Sequence, residues 1–245
     1  MKEKLVLLGG GGHCKSCIDV IQEEGRFEIV GIVEGVPASE VPASAGMTSA
    51  SANLAGAVVI PAKAGTANPA TAVAGTVLGY PIIGTDDDLP ELVKKYRNFL
   101  ITVGQISKPA VRIKLFETIR SLGGHLPVIV SPHAYVSRSA LVGAGTIVMH
   151  NVVVNAEAQI GVNCILNTGA LIEHEAVTGD HCHISTYAIL NGQCTVGSRT
   201  FIGSRTVLAN NISIPDDTLV SAGSVVLRTL EQPGTYIGNP LRKIR

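Results

Sequence analysis

The sequence predicts an α/β N-terminal domain followed by a parallel β-helix of hexapeptide repeats. Between Val136 and Val226 every sixth residue is Val, Ile or Leu, with the single exception of Thr178. Helices repeat every 3.6 residues and simple strands every two, so an unbroken period of six is the signature of a parallel β-helix. The composition agrees, because 46% of the 245 residues are hydrophobic but only 4% are aromatic and none is Trp, as a narrow aliphatic prism requires.

Two further series of residues share the six-residue register. Small or modest side chains lie two positions before the aliphatic residues: Ala134, Ala140, Thr146, Val152, Ala158, Cys164, Ala170, Ala176, Cys182 and Ala188. Glycines directly follow several of the aliphatic residues: Gly143, Gly161, Gly179, Gly197 and Gly203. We expect these glycines at corners where the turning chain requires a residue without Cβ. Three hexads form one coil of about eighteen residues, and stacked coils leave flat faces that commonly associate.

The N-terminal half alternates strands with helices. A strand at 4–8, a tight turn at 9–12, a helix at 13–24 and a strand at 27–33 are predicted, and they form a βαβ unit. Further elements are a helix from 86 to about 96 with Asp86, Asp87 and Asp88 as N-cap and first-turn acids, a strand at 99–103 and a helix at 108–122. The last helix has apolar residues at Val111, Leu115 and Ile119, and 128–130 lead into the repeats. We place the domain boundary between 126 and 127.

Residues 36–75 differ from their surroundings in composition. They are rich in Ala, Ser, Gly, Pro and Thr and almost uncharged, and they resemble a translated bacterial DNA repeat element inserted into the gene. Surface insertions of this length are tolerated because the cost of loop closure rises slowly with length. We therefore interpret 36–75 as a low-complexity insertion with little order of its own.

Charge and cysteine content exclude several classes of function. Nineteen basic and nineteen acidic side chains balance, so the chain lacks the basic surface of a general nucleic-acid binder. Its apolar runs are too short to cross a bilayer, and the N-terminus does not resemble a signal peptide. Five cysteines without a paired framework fit a reducing compartment, so we expect a cytoplasmic protein.

The glycine turn between the first strand and the first helix is a candidate phosphate site. The run from Gly9 to Ser16 departs from the P-loop pattern, because Cys14 replaces the glycine before Lys15, and from the dinucleotide pattern as well. Its glycines would still let a phosphate approach free N–H groups at the helix start, and Glu34 could bind a sugar hydroxyl. A nucleotide-type ligand is favoured over a purely structural turn. Cys14 and Cys17 lack a thioredoxin-like context and are interpreted as core filler.

A second candidate lies within the repeats at Glu173-His174-Glu175. Ile172 points inward, so the next three residues should lie on an exposed corner or at a subunit seam. A histidine with an adjacent carboxylate has what a general base near neutral pH requires. From these residues by themselves, a solvated, charged corner is favoured over a general base.

Histidines around this corner raise the question of a metal. His150, His174, His181 and His183 are separated by 24, 7 and 2 residues, a spacing that does not match a three-histidine zinc site. We therefore predict no metal, and we expect His150 and His181 to be solvated corner residues.

In combination, several motifs resemble a known family. They are the Gly-Gly-Gly-Gly-His opening, Val103-Gly104-Gln105-Ile106, Asn167-Thr168-Gly169, Glu173-His174-Glu175, Gly179-Asp180 and Ile237-Gly238-Asn239-Pro240. The chain resembles the bacterial sugar acetyltransferases of the sialic-acid and bacillosamine pathways, in the hexapeptide-repeat superfamily. The resemblance implies a Rossmann-like domain at 1–126 for the nucleotide sugar and a left-handed β-helix at 127–245, including a C-terminal tail, for acetyl-CoA. It also implies a homotrimer with sites between subunits.

The resemblance also implies roles for single residues. His174 would be the general base, and Glu175 would raise its basicity. The implied acetyl-CoA contacts are His183, Gly192, Ser204 and Ala222. The implied substrate contacts are Gly12, His13, Cys14, Val33, Glu34 and Gly104. Glu34 stands where members often have Asp, and Tyr187 places a bulky ring beside the acyl channel, so the identity of the acceptor is left open.

The expected function is direct transfer of an acetyl group from acetyl-CoA to an amine or hydroxyl of a sugar, without a metal. A nucleotide-sugar N-acetyltransferase and a sialic-acid O-acetyltransferase both fit these residues, and the glycine turn favours the former. A trimeric scaffold or regulator of sialic-type sugar synthesis, without catalysis, is the alternative from a different class. The Glu-His-Glu corner favours the enzyme.

Overall fold

The computed structural model describes residues 2–35 and 75–245. It contains an α/β domain of Rossmann-like type followed by a left-handed parallel β-helix, which confirms the predicted fold class. The predicted insertion at 36–75 lies outside the described residues except for Gly75. None of the helices among these described residues is long and apolar enough to cross a membrane.

The N-terminal domain is a five-stranded sheet with the order β3-β4-β2-β1-β5. Its strands are β1 (Glu3–Leu8), β2 (Phe27–Glu34), β3 (Thr76–Val77), β4 (Tyr80–Thr85) and β5 (Asn98–Ile101), and all except β3 are parallel to their neighbours. Its helices are α1 (Gly12–Glu24), a short 3-10 helix (Asp86–Asp88), α2 (Leu89–Lys95) and α3 (Ala110–Ser121). The predicted βαβ unit is present, with each boundary within one residue of the expected one.

Alternation along β1 explains why both sides of this sheet are covered. Leu5 and Leu7 belong to an apolar cluster that contains the buried face of α1 and continues into the β-helix. Val6 and Leu8 point to the opposite side, where they join a cluster that includes Phe116 of α3. Parallel strands buried on both faces need such uninterrupted apolar sequence, as β1 has.

The three aspartates lie at the start of the second helical segment, as predicted. Thr85 is the N-cap of the 3-10 helix and forms a capping box with Asp88. Asp86, Asp87 and Asp88 are the first-turn acids, and Asp88 is in turn the N-cap of α2. Val111 is 55% exposed, whereas Leu115 and Ile119 are buried. Val111 lies in the first turn of α3, which begins at Ala110.

The β-helix consists of two-residue strands separated by four-residue corners. In chain order they are β6 (Ile129–Val130), β7 (Tyr135–Val136), β8 (Leu141–Val142), β9 (Ile147–Val148), β10 (Val153–Val154), β11 (Gln159–Ile160), β12 (Ile165–Leu166), β13 (Leu171–Ile172), β14 (Val177–Thr178), β15 (His183–Ile184), β16 (Ile189–Leu190), β17 (Thr195–Val196), β18 (Phe201–Ile202), β19 (Val207–Leu208), β20 (Ser213–Ile214), β21 (Leu219–Val220) and β22 (Val225–Val226). A tail with β23 (Thr235–Ile237) and β24 (Arg242–Lys243) extends one sheet.

Every third strand stacks into the same sheet, so the prism has three faces. The docked face (β6, β9, β12, β15, β18 and β21) carries the N-terminal domain, and its outward residues Ile147, Ile165 and His183 are buried. The apolar face consists of β7, β10, β13, β16, β19 and β22, and the open face of β8, β11, β14, β17 and β20. Two corners contain predicted site residues. They are the docked–apolar corner (167–170, 185–188, 203–206, 221–224) and the apolar–open corner (173–176, 191–194, 209–212).

The predicted inward positions are confirmed from Val148 onward, whereas Val136 and Val142 in the first coil are partly buried. In each two-residue strand from β9 to β22, the second residue is buried. This includes Thr178, the one non-aliphatic residue of the series, which is 3% exposed. The small residues two positions earlier are fully buried from Thr146 to Ala188. Each coil therefore fills its interior with one aliphatic layer and one layer of small side chains, which leaves no room for aromatic rings.

The glycines after the aliphatic positions have a different cause from the one expected. A Cβ on Gly143 would lie 2.6 Å from the carbonyl carbon of Gly161 in the next coil, so close stacking of the coils excludes a side chain there. The left-handed backbone occurs two residues later, at positions that non-glycine residues occupy in most coils, such as Glu175 (φ 59°) and Tyr187 (φ 55°). Glycine is needed here for contact between coils and not for φ.

Candidate functional site

The glycine turn lies at the carboxyl edge of the N-terminal sheet, where β1 separates β2 from β5. Ligands bind at such crevices in open α/β sheets. The hydroxyl of Thr102 donates to the carbonyls of Leu8 (3.1 Å) and Gly9 (2.7 Å), which fixes the start of the turn. A Cβ on Gly10 would collide with the carboxylate of Glu34, so this glycine is required for close approach of the two segments.

Four of the six predicted substrate contacts lie at the surface of this crevice: Gly12, His13, Glu34 and Gly104. Gly104 faces His13, since a Cβ on Gly104 would lie 3.5 Å from the Cβ of His13. The α1 N-terminus has no side-chain cap, and it therefore offers backbone N–H groups to a ligand.

The other two predicted contacts, Cys14 and Val33, have fully buried side chains. The Cys14 N–H donates to the carbonyl of Gly11 (3.1 Å), and the Val33 carbonyl accepts from the N–H of Gly9 (2.8 Å). Burial raises the pKa of the Cys14 thiol. Both residues therefore lie beneath the surface of the crevice and support its backbone.

His174 and Glu175 project from the apolar–open corner. Nδ1 of His174 lies 3.1 Å from Oε2 of Glu175, and the amide of Gln193 donates to the same oxygen at 3.1 Å. The bond from His174 lowers the pKa of Glu175, with a further contribution from Gln193. An ionised Glu175 accepts a hydrogen bond from the N–H at Nδ1 of His174. In a neutral imidazole the free lone pair is then on Nε2.

The ring of His174 lies across Gly192 of the next coil. A Cβ on Gly192 would be 2.7 Å from Nε2, so any larger residue would displace the imidazole. The side chain of His174 is 56% exposed in one chain, and Nε2 has no hydrogen bond to the described residues. The corner thus presents an oriented basic nitrogen to the outside of the prism.

Ser204 and Ala222 occupy the other edge of the apolar face, one above the other on the docked–apolar corner. The hydroxyl of Ser204 lies 2.9 Å from that of Ser185 in the preceding coil. Tyr187 lies on the same corner with its ring stacked against Gly169. Within one chain these residues do not meet His174, because the apolar face lies between the two corners.

His183 lies apart from the other predicted acetyl-CoA contacts, in the junction between the domains. Its Nδ1 donates to the carbonyl of Gln105 at 2.6 Å, and the amide of Asn167 donates to its Nε2 at 3.1 Å. The N–H of Thr168 donates to the Asn167 oxygen at 2.8 Å, which fixes the orientation of that amide. Burial, followed by the nearby Arg112 charge, lowers the pKa of His183 to about 4.

The other two histidines were expected in solvent, and this expectation is wrong. His181 is 9% exposed, packs edge-on against Phe116 and lies 3.0 Å from the Asn163 amide. Nδ1 of His150 lies 2.6 Å from the Ser131 hydroxyl, and Nε2 lies 3.1 Å from a carboxylate oxygen of Asp19 in α1. Both corners face the N-terminal domain, a contact that the six-residue period alone does not reveal.

Within residues 2–35 and 75–245, no group of three or more His, Cys, Asp or Glu is placed to hold a metal ion. All five cysteines are free and buried. The pKa of the Cys17 thiol is raised, mainly by burial, as expected for a core residue.

Sequence reasoning missed the polar residues that support these groups. Asn155 donates to Glu173 at 2.7 Å, and Gln193 and Asn210 flank the His174 corner. Asn155 shares one signal with Asn167, since each directly follows a buried aliphatic residue of the register. Arg112 carries no such signal, because its partner in the β-helix, Asn163, is 51 residues away in the sequence.

Stability should depend on pH through His183. Its folded pKa, about 4, lies below the unfolded value, so protons bind preferentially to the unfolded chain as the pH falls. This contribution is complete above about pH 6.5 and decreases as the pH falls toward 4, by about 2 kcal/mol between pH 7 and pH 5. Urea denaturation at both pH values measures it. In His183→Asn this part of the pH dependence should be lost, and an unchanged difference between the two pH values would contradict the assignment.

Two family models match the chain. The model of the PglD N-terminal domain matches residues 4–56, and the model of the GMPPB C-terminal domain matches residues 129–231. No match is found among curated protein sequences.

Solved structures match along the whole chain. PerB of Caulobacter crescentus, solved in complex with CoA and GDP-perosamine, is 29% identical with a TM-score of 0.79, over 99% of this chain and 97% of that chain. The acetyltransferase domain of PglB from Neisseria gonorrhoeae, in complex with acetyl coenzyme A, is 25% identical with a TM-score of 0.78, over 100% of both chains. WeeI from Acinetobacter baumannii shares the fold at 16% identity and a TM-score of 0.72, over 99% of this chain and 100% of that chain. The N-terminal domain is thus similar to the PglD N-terminal domain, and the chain along its whole length is similar in structure to PerB and to the acetyltransferase domain of PglB.

Proposed function

We propose that this protein transfers the acetyl group of acetyl-CoA to an amino group on a nucleotide-linked sugar. The observation that supports this most is the similarity along the whole chain to PerB, which was solved with CoA and GDP-perosamine bound. In this proposal residues 1–126 bind the nucleotide sugar and residues 127–245 bind acetyl-CoA. A 4-amino sugar, as in the bacillosamine pathway, is preferred over a sialic acid because the glycine turn suits a phosphate.

The crevice of the N-terminal domain has groups of both kinds that a nucleotide sugar requires. The uncapped N-terminus of α1 supplies N–H donors and a positive dipole end for a phosphate. Glu34, at the end of β2, supplies a carboxylate for sugar hydroxyls. His13 and Gly104 border the same opening.

His174 acts as the general base in the proposed reaction. Its Nε2 accepts a proton from the sugar amine as the amine nitrogen bonds to the thioester carbon, and Glu175 holds Nδ1 and stabilises the imidazolium. The tetrahedral intermediate then breaks its carbon–sulfur bond, and the CoA thiolate takes the proton from His174. An acyl-enzyme is unnecessary, because donor and acceptor are held together.

The active unit is a homotrimer in this proposal. The outward residues of the apolar face are Tyr135, Val153, Leu171, Ile189, Val207 and Val225. This is an uncharged apolar ladder along the whole prism, and Tyr135 is 59% exposed in one chain. The ladder separates His174 from Ser204 and Ala222, so burying it between copies would bring His174 of one copy toward the acetyl-CoA corner of another.

A thiol-release assay tests the proposed function. Acetyl-CoA is offered with UDP- and GDP-linked 4-amino sugars and, separately, with free sialic acid. The expected result is CoA release with at least one nucleotide-linked amino sugar. Release with sialic acid alone would instead indicate an O-acetyltransferase. Release with none of them would favour the scaffold of sialic-type sugar synthesis.

A further inference from the structure

Arg112 is a buried cation without an acidic partner. Its residue exposure is 1%, and none of the ion pairs among the described residues involves it. Burial lowers the pKa of Arg112 to about 10, so the guanidinium is still charged at neutral pH. A buried charge is costly unless polar groups compensate it, and an apolar side chain of similar volume would avoid the cost.

The compensating groups come from two parts of the molecule. Nη1 of Arg112 donates to the carbonyls of Ile101 (2.9 Å) and Val103 (2.7 Å), at the end of β5. Nη2 donates to the carbonyl (3.1 Å) and side-chain oxygen (2.7 Å) of Asn163, in a corner of the β-helix. The Asn163 amide donates back to the carbonyl of Arg112 at 3.2 Å. The planar guanidinium of Arg112, which donates like a two-pronged fork, thus connects the C-terminal end of β5 to the β-helix.

The segment that Arg112 holds is the loop of residues 102–109, which has neither helix nor strand. Within it Gly104 faces His13 at the crevice. The following residue, Gln105, contacts the β-helix twice: its amide donates to the His181 carbonyl at 3.1 Å, and its carbonyl accepts from His183 at 2.6 Å. The side chains of Arg112, Gln105 and His183 therefore connect this loop, at the edge of the crevice, to the prism.

We propose that Arg112 is a positioning residue, which fixes the 102–109 loop of the sugar-nucleotide crevice against the β-helix through Asn163. This inference rests on the proposed function, since it assigns the loop to the acceptor. Removing the fork should release the acceptor side of the site and leave unaffected the acetyl-CoA contacts predicted at Ser204 and Ala222, which lie on the docked–apolar corner. His183, which contacts the loop through Gln105, would keep its bond to Asn167 of the β-helix.

The charge of Arg112 has a second consequence for the same junction. Burial first, then Arg112 and His183, lower the pKa of His13 to about 3. Arg112 faces His13 from α3, His183 faces it from β15, and Arg112 also lowers the pKa of His183. His181, whose other charged neighbours are Asp180, Glu117 and Arg199, lies in the same network. A neutral His183 keeps the direction of its hydrogen bonds to Gln105 and Asn167 fixed at neutral pH.

The test compares Arg112→Met and Arg112→Lys with Arg120→Met, a control on the same helix whose arginine is exposed. Arg112→Met should raise the KM for the nucleotide sugar by about tenfold and leave the KM for acetyl-CoA within about twofold. Arg112→Lys should recover only part of this loss, because an ammonium lacks the planar fork. The control should behave like the wild type.

A measurement independent of turnover keeps the two proposals separable. In amide hydrogen exchange on the intact chain, residues 102–109 should exchange at least about fivefold faster in Arg112→Met than in Arg120→Met, with the coils from 183 onward unchanged. A wild type that releases no CoA would contradict the proposed function alone. Unchanged exchange in the loop, or an equal rise of both KM values in a folded Arg112→Met variant, would overturn the role of Arg112.

Discussion

Replacing His174 by alanine is expected to lower kcat by about a hundredfold or more, with acetyl-CoA affinity nearly unchanged. The reason is that His174 Nε2 is the basic nitrogen that the corner presents outward, while the other ring nitrogen is engaged with Glu175. Removing the imidazole leaves only the carboxylates of Glu173 and Glu175 at this corner, and a carboxylate is a much weaker base than an imidazole. Steady-state thiol release gives kcat, and isothermal titration with acetyl-CoA gives the affinity.

The matched control for this change is His133→Ala. His133 is also an exposed histidine on a corner of the prism, but it lies in the first coil, away from His174. It should retain the turnover of the wild type. If His174→Ala also kept wild-type turnover, His174 could not be the base. If it lost acetyl-CoA binding together with turnover, the residue would belong to the donor site.

Replacing Ile189 by glutamate should convert the proposed trimer to monomers and reduce transfer by about a hundredfold or more. Ile189 lies in the middle of the apolar ladder on β16 and points outward. In a trimer that buries this face, each copy would bury an unpaired carboxylate, at a cost of several kcal/mol per charge. Activity should fall with assembly, because the two corners of the site then come from separate molecules. Size-exclusion chromatography with light scattering measures the mass, and thiol release measures the activity.

Thr195→Glu provides the control for the new charge. Thr195 is the outward, exposed residue of β17 on the open face, in the same coil as Ile189. This variant should remain assembled and active. A trimeric Ile189→Glu protein would show that the apolar face is not the interface. A fully active monomer would show that one chain holds a complete site.

The sequence predicted the β-helix well because its period records a repeated physical requirement. Each inward position faces the same narrow interior, so residues from Val148 to Val226 satisfy one constraint again and again. The βαβ unit was predictable for a similar reason, since its apolar strand, glycine turn and amphipathic helix follow one another locally. His174 with Glu175 could be recognised because adjacent residues carry the pattern.

Contacts between distant segments could not be predicted in this way. His181 and His150 were expected in solvent, but the N-terminal domain covers both corners. Arg112 and Asn163 are 51 residues apart, and neither stands out in its own segment. A periodic pattern determines which side of a strand faces inward, but it does not determine which outer face another domain will cover.

The stacking of the coils also sets a fixed spacing between equivalent residues along the axis of the prism. Neighbouring strands lie about 4.8 Å apart, so Ser204 and Ala222, which occupy equivalent places in successive coils, mark one step of that length along the axis. Contacts of equivalent residues with a long, thin donor such as CoA would be spaced by these steps. Gain or loss of one whole coil would shift the donor end by one step and keep every inward residue inward. A change of one or two hexads would keep the inward residues inward but would move the following corners to a different edge of the prism. The reach of this protein along its prism can therefore change only in whole coils if equivalent residues are to stay on one edge.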